Sequence, residues 1–158
     1  MKEVVTQDGS LKFRAVVEFL LPRTVGFNRT VAKAWLLEVA QREGAAVERL
    51  TYQAFRRPEM IELNQKFLQH DYDTDIISFP ESEHPLPISA DFALGWDQIK
   101  EQSSELNESF IRELHRILVH GLLHCIGYND TDAASQLVMR SKEDFYLNLH
   151  PLCSTWNK

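Results

Sequence analysis

Two histidines four residues apart, His120 and His124, stand in an apolar run from Ile117 to Ile126. No proline interrupts the run and leucine recurs at helical spacing, so the run predicts a buried helix. Residues i and i+4 share one face of a helix, about 6 Å apart along its axis, and two imidazoles so placed can bind one metal ion. Gly127 follows as a helix stop, because glycine tolerates the left-handed conformation in which helices end. The chain can turn back there and bring Asp130 under the two histidines. The expected product is a site of two histidines and one carboxylate with room for water, and Asp132 is the alternative third ligand. A single core histidine is usually just a hydrogen-bonded core residue. Two in one apolar run would each need a buried partner, and Gly127 and Asp130 at ligand spacing favour the metal.

The spacing equals that of the long zinc-protease signature H-E-x-x-H-x-x-G-x-x-H. Two positions differ. Gly121 stands where a protease carries its glutamate base, and Asp130 stands where the third histidine would be. A carboxylate can replace imidazole on zinc. The missing glutamate counts against peptide hydrolysis, because that group activates the water. A metal hydrolase of another kind is expected.

The elements that must position these residues fit one domain over residues 1–158, a length that allows a real core. Hydrophobic residues make up 44% and charged residues 25%, as in soluble globular proteins. No apolar stretch reaches 18 residues, so no membrane span is expected, and the N-terminus lacks the apolar core of a signal peptide. Two cysteines, Cys125 and Cys153, make no disulfide framework, which fits a reducing cytoplasm. Cys125 follows His124 directly and should point away from the histidine face into the core. The formal net charge of -6 argues against a general nucleic-acid binder. It leaves room for a local basic patch, with Arg23, Arg29, Lys33, Arg42, Arg49, Arg56 and Arg57 as surface candidates.

In order, Leu11 to Leu21 reads as a strand ended by Pro22. Asn28 or Thr30 can cap a helix to about Glu43, closed by Gly44. Val47 to Phe55 reads as a strand, and Pro58 fits the first turn of a helix from about Arg57 to Leu68. Asp75 to Phe79 reads as a short strand stopped by Pro80, with a loop from Glu81 to Pro87. Ile88 to Leu94 reads as a strand with Asp91 unusually placed in its middle, where an exposed face or a sheet edge is the plain explanation. A short helix over Gly95–Ser104 precedes the histidine helix, which starts at Asn107 or Ser109. That helix should begin wet, with Arg112, Glu113, His115 and Arg116, and end dry. His115 lies off the His120–His124 face and is left out of the site. A last helix, capped by Thr131 or Asp132, runs to about Leu149 with Leu137, Val138, Phe145 and Leu149 as its apolar positions, followed by a frayed tail. The order βαβαββαα gives an α+β fold with a mixed sheet of about four strands and the metal site on a buried central helix.

The chain resembles the YbeY-type endoribonucleases, bacterial rRNA maturation factors with the signature H-G-x-L-H-x-x-G-Y-D-H. His120, Gly121, Leu123, His124, Gly127 and Tyr128 match it, with Asn129 for the Asp and Asp130 for the third His. Thr74-Asp75-Ile76-Ile77-Ser78-Phe79-Pro80 resembles the family's T-D-V-L-S-F-P. Asp91 resembles the Asp of its G-D-I strand, although Ala90 replaces the Gly, and Met139 and Glu143 resemble the Met and Glu of its last helix.

The resemblance runs from about Trp35 to Leu147. It implies a metal-dependent, single-strand-specific endoribonuclease acting in 16S rRNA 3′-end maturation and ribosome quality control. It also implies one divalent ion, foremost Zn2+, on His120, His124 and Asp130. Two imidazoles and a carboxylate also suit iron, nickel or manganese. The implied partners are ribosomal RNA, the ribosomal subunit and a ribosomal protein or GTPase. One departure stands out. The family's functional Arg, four residues after an Asn, is Leu68 after Asn64 here, with His70 nearby.

Asp75 and Asp91 are the candidates for catalytic proton handling or for supporting the ligands. The rival functions are a non-catalytic ribosome-associated metal-binding factor, which would co-sediment with subunits without cutting RNA, and a metallopeptidase, which would show chelator-sensitive casein hydrolysis.

Overall fold

The computed structural model describes residues 3–5 and 11–156. Its elements in order are β1 (Glu3–Val5), β2 (Leu11–Phe13), β3 (Val16–Leu20), α1 (Arg29–Arg42), β4 (Val47–Phe55), α2 (Arg57–Leu68), β5 (Ile76–Ser82), β6 (Ile88–Gly95), α3 (Trp96–Glu105), α4 (Phe110–Ile126) and α5 (Ala133–Leu149), closed by a short 3-10 turn at Cys153–Thr155. The fold is α+β with a mixed sheet of four strands, as the sequence predicts, and the strands stand in the order β3-β4-β6-β5. β3, β4 and β6 run parallel, and β5 returns antiparallel along the edge.

One sheet face carries the main core. Leu50 and Tyr52 of β4 and Phe92 and Leu94 of β6 pack there against Trp35, Leu36 and Val39 of α1 and Leu118 and Leu122 of α4. The Tyr52 hydroxyl donates to the Leu118 carbonyl at 2.9 Å, which ties the middle of α4 to the sheet. On the other face, α2 covers a smaller core of Met60, Ile77 and Ala93. Helix α4 is therefore central, held between the sheet on one side and α3 and α5 on the others.

Five sequence expectations need correction. The strand read over Leu11–Leu21 is two strands. β2 pairs with β1 in a separate antiparallel sheet, β3 pairs with β4, and the ladder breaks where the partner changes. Pro80 does not stop β5, which continues to Ser82, because an edge strand can do without one amide donor. The start of α4 is not wet, since Glu113, His115 and Arg116 are all buried. On α5, Leu137, Val138, Phe145 and Leu149 face solvent, while Met139, Glu143, Tyr146 and Leu147 face in. The tail is also ordered as far as Trp156, which is buried against His115 and His150.

Candidate metal centre

Helix α4 begins at Ser109, whose side chain accepts from the Arg112 amide at 3.1 Å. It ends at Gly127, with φ +124°, where the Gly127 and Tyr128 amides both return to the Leu123 carbonyl. This reversal sends residues 128–130 back over the last turn of the helix. Glu43, at the end of α1, anchors the reversed segment. Its carboxylate accepts hydrogen bonds from the hydroxyls of Tyr128 and Tyr146 and from Lys142 at 3.1 Å. Burial alone would raise the Glu43 pKa, but these three donors carry it below the usual carboxylate value.

The turn brings the three expected ligands together. The Nε2 atoms of His120 and His124 lie 3.0 Å apart, and each is 3.6 Å from a different oxygen of Asp130. The ligand atoms all lie within 4.8 Å of one another, so the cluster could hold a metal ion. The donor chemistry fits one. Glu143 Oε2 lies 2.7 Å from His120 Nδ1 and can only accept there, so Nδ1 carries the proton and Nε2 offers its lone pair to the site. His124 hydrogen-bonds the Tyr128 backbone and aims its Nε2 at the same point. Asp132 serves elsewhere, capping α5 by accepting from the Ser135 amide at 2.7 Å.

The two imidazoles differ in charge preference. Burial disfavours a proton on both. On His120 the Glu143 hydrogen bond and charge, helped by Asp75 and Asp130, outweigh burial and raise the pKa. On His124, burial and the neighbouring His120 lower it against the pull of Asp130.

Beside the ligands opens a cavity of about 340 Å³, lined by side chains from Asp75, α3, α4 and α5. Gln102 of α3 bridges two acids there, donating to Asp75 at 3.1 Å and to Glu113 at 3.0 Å. Burial raises the Glu113 pKa, opposed by Arg116. Arg116 donates to Glu143 at 3.2 Å and to Asp144 at 2.8 Å, so the acid that orients His120 is itself held by a buried cation. Asp75 enters this wall because Gly95 lets the chain pass closely. A Cβ at Gly95 would stand 1.9 Å from the Thr74 carbonyl oxygen.

Asp91 is not brought together with the histidines. It lies in the groove on the opposite sheet face with Phe67 and Phe79, and it pairs with Arg49 at 2.6 Å. Leu68 closes α2 in solvent, and His70 stacks on the exposed ring of Tyr72. Neither lines the metal cavity. Gly121 faces the sheet, where a Cβ would meet Ile76 and the Phe92 ring at 2.8–2.9 Å, so the helix has no room for a protease glutamate there. Cys125 is core, as expected, and burial pushes its thiol up to about 12. His115 is also outside the site. It packs against Trp35, His150 and Trp156, and its Nδ1 donates to the Ile111 carbonyl at 2.7 Å.

The sequence reading assigned no role to Glu143, Arg116, Gln102 or Glu43. For Glu143 the signal is its resemblance, with Met139, to the Glu and Met of the family's last helix.

The family model described as Endoribonuclease YbeY matches residues 25–150. The chain belongs to the YbeY endoribonuclease family. An Endoribonuclease YbeY of Cytophaga hutchinsonii is 36% identical over 122 residues, covering 77% of this chain and 85% of that protein. One from Salinibacter ruber is 40% identical over 118 residues, covering 70% and 75%. A solution structure from Thermotoga maritima superposes with a TM-score of 0.60 at 24% identity, covering 84% of this chain and 87% of that one, and so shares the fold. Membership makes the chain an endoribonuclease, a hydrolase acting on RNA. Among the described residues, no helix is long and apolar enough to cross a membrane.

Proposed function

We propose that the chain is a metal-dependent, single-strand-specific endoribonuclease that matures the 3′ end of 16S rRNA and takes part in ribosome quality control in the cytoplasm. Its partners on this reading are the ribosomal subunit and a ribosomal protein or GTPase. The observation that carries the metal dependence is the convergence of His120, His124 and Asp130, with Glu143 fixing the His120 tautomer. Zinc is the ion proposed, since two imidazoles and one carboxylate bind it in catalytic sites that leave a position open for water. When bound, such an ion supplies Lewis-acid polarisation of a phosphate oxygen and a water of lowered pKa.

The chain's own groups do the rest. His120 and His124 present lone pairs in fixed directions, because Glu143 and the Tyr128 backbone hold their other hydrogen bonds. Glu143 keeps His120 oriented, and Arg116 holds Glu143 in place. Asp75 is the acid retained for proton handling. It lines the cavity and its charge acts on His120, whereas Asp91 is engaged with Arg49 on the far face. The ligands border a cavity flanked by α3, α4 and α5, and a flexible single strand can thread a phosphodiester into it more readily than a stiff duplex can.

The test uses end-labelled RNAs of one sequence, single-stranded and annealed. The zinc-loaded protein should cut the single strand, leave the duplex intact and stop with chelator. Equal cutting of both RNAs contradicts the strand preference, and cutting that survives chelation contradicts the metal dependence. Subunit co-sedimentation without any cleavage would point instead to a non-catalytic ribosomal factor.

A further inference from the structure

The wall of the metal cavity carries five carboxylates, Asp75, Glu105, Glu113, Asp130 and Glu143, against two guanidiniums, Arg116 and Arg140. Beside a bound ion, an RNA phosphate entering this acid-rich space needs a further free cation to receive it. Arg116 is not free. It is buried, its Nη1 donates to Glu143 and Asp144, and its Nε faces Glu113 at 3.5 Å. Arg140 is different. Its side chain is 47% exposed, and its nearest carboxylate contact, to Glu143 Oε1, is 3.9 Å, longer than a hydrogen bond. It sits one turn before Glu143 on α5, the element that also orients His120. Its charge also reaches across the cavity to Glu113. A rigid helix thus presents a solvated guanidinium at the cavity that holds the ligand set.

We infer that Arg140 is the substrate-binding residue that grips an RNA phosphate at the metal cavity, through paired N–H donors of its guanidinium. This inference rests on the endoribonuclease reading above. A planar fork matches two phosphate oxygens, which a lysine ammonium does not reproduce. The grip places negative charge where the two histidines and Asp130 would hold the ion, and it offsets the surrounding acids.

The experiment compares wild type, Arg140→Ala and Arg140→Lys, all zinc-loaded. Binding of a fluorescent single-stranded 2′-O-methyl oligoribonucleotide, which resists cleavage, is followed by anisotropy over a salt series. Zinc affinity by chelator competition and the melting temperature are measured in parallel. Arg140→Ala should weaken binding about tenfold or more, as loss of a charge-assisted contact does. It should also lower the log–log salt slope by about 0.7, the share of one phosphate on a single strand. Zinc affinity should stay unchanged. Arg140→Lys should restore the salt slope but not the full cleavage rate on unmodified RNA. Unaltered affinity and slope in Arg140→Ala, with a wild type that binds and cleaves, overturn the role of Arg140 and leave the nuclease reading standing. A wild type that neither binds nor cleaves overturns both.

Discussion

Helix α4 contributes to two histidine pairs of opposite character. His120 and His124 stand at its C-terminal end, 18% and 30% exposed, with Nε2 atoms converging on Asp130 and a carboxylate behind His120. His115 lies near the other end and packs against His150 from the tail, both almost fully buried among Trp35 and Trp156. There the His115 Nδ1 donates to the Ile111 carbonyl and the His150 Nδ1 accepts from the Leu152 amide. The outer nitrogens have no partner, and burial pushes the two pKa values down to about 3 and about 4. Proximity and burial alone give a neutral pair that packs. A candidate metal centre needs in addition an anionic ligand, an acid to fix the tautomer, and an opening.

The contrast can be strained most severely at Glu143. Glu143→Ala should destabilise the fold by about 3–5 kcal/mol in urea titrations, because Arg116 keeps its buried charge and loses a partner. Glu143→Gln keeps the shape, and chelator competition should show roughly 10–100-fold weaker zinc binding. Unchanged zinc affinity in Glu143→Gln would remove the acid from the list of what makes the pair a site.

A pH series probes the other pair. The folded-state pKa values of His115 and His150 lie below the unfolded value of 6.5. As pH falls below 6.5 the unfolded chain takes up protons first, so stability drops between pH 6.5 and about 4 and levels off below about 3. At about 1.4 kcal/mol for each pH unit by which a histidine is lowered, the two together set an upper bound of about 8 kcal/mol on the loss. His115→Phe should flatten that decline, and parallel curves for variant and wild type would contradict the assignment.

Smaller effects come from what surrounds the site. Gly121→Ala should cost about 1–3 kcal/mol, since its Cβ meets the Phe92 ring, itself stacked on Tyr52. Tyr128→Phe should cost about 1 kcal/mol by losing its bond to Glu43. It should also weaken zinc binding several-fold, because Tyr128 tethers the segment that carries Asp130. Zinc affinity equal to wild type would show that the segment needs no tether.

The ligand set was legible because it is local. A helical spacing, a glycine stop and an acid three residues later all fall within eleven residues, and helix geometry converts them directly into a cluster. What supports the cluster comes from distant chain. Glu143 reaches His120 from α5, Glu43 reaches Tyr128 from α1, and Gln102 spans two acids from α3. No periodicity reports such pairings. Hydrophobic pattern misled where function overrides it. On α5 the residues that face in include Glu143, while Leu137 and Phe145 face solvent, so the stripe read from apolar positions is the wrong one. The start of α4 looks wet because part of what covers its charges comes from distant chain: Arg116 pairs with Glu143 and Asp144 of α5, and Glu113 accepts from Gln102 of α3.

The central claim is that the open pair on α4, with Asp130, holds one ion that RNA cleavage requires. The most direct test measures metal content and cleavage of labelled single-stranded rRNA fragments together, in wild type, His124→Ala and His115→Phe. The account predicts one ion per chain and cleavage in wild type and His115→Phe, with both lost in His124→Ala. Cleavage by His124→Ala at the wild-type rate, or a wild type that binds one ion and cuts nothing, would contradict it.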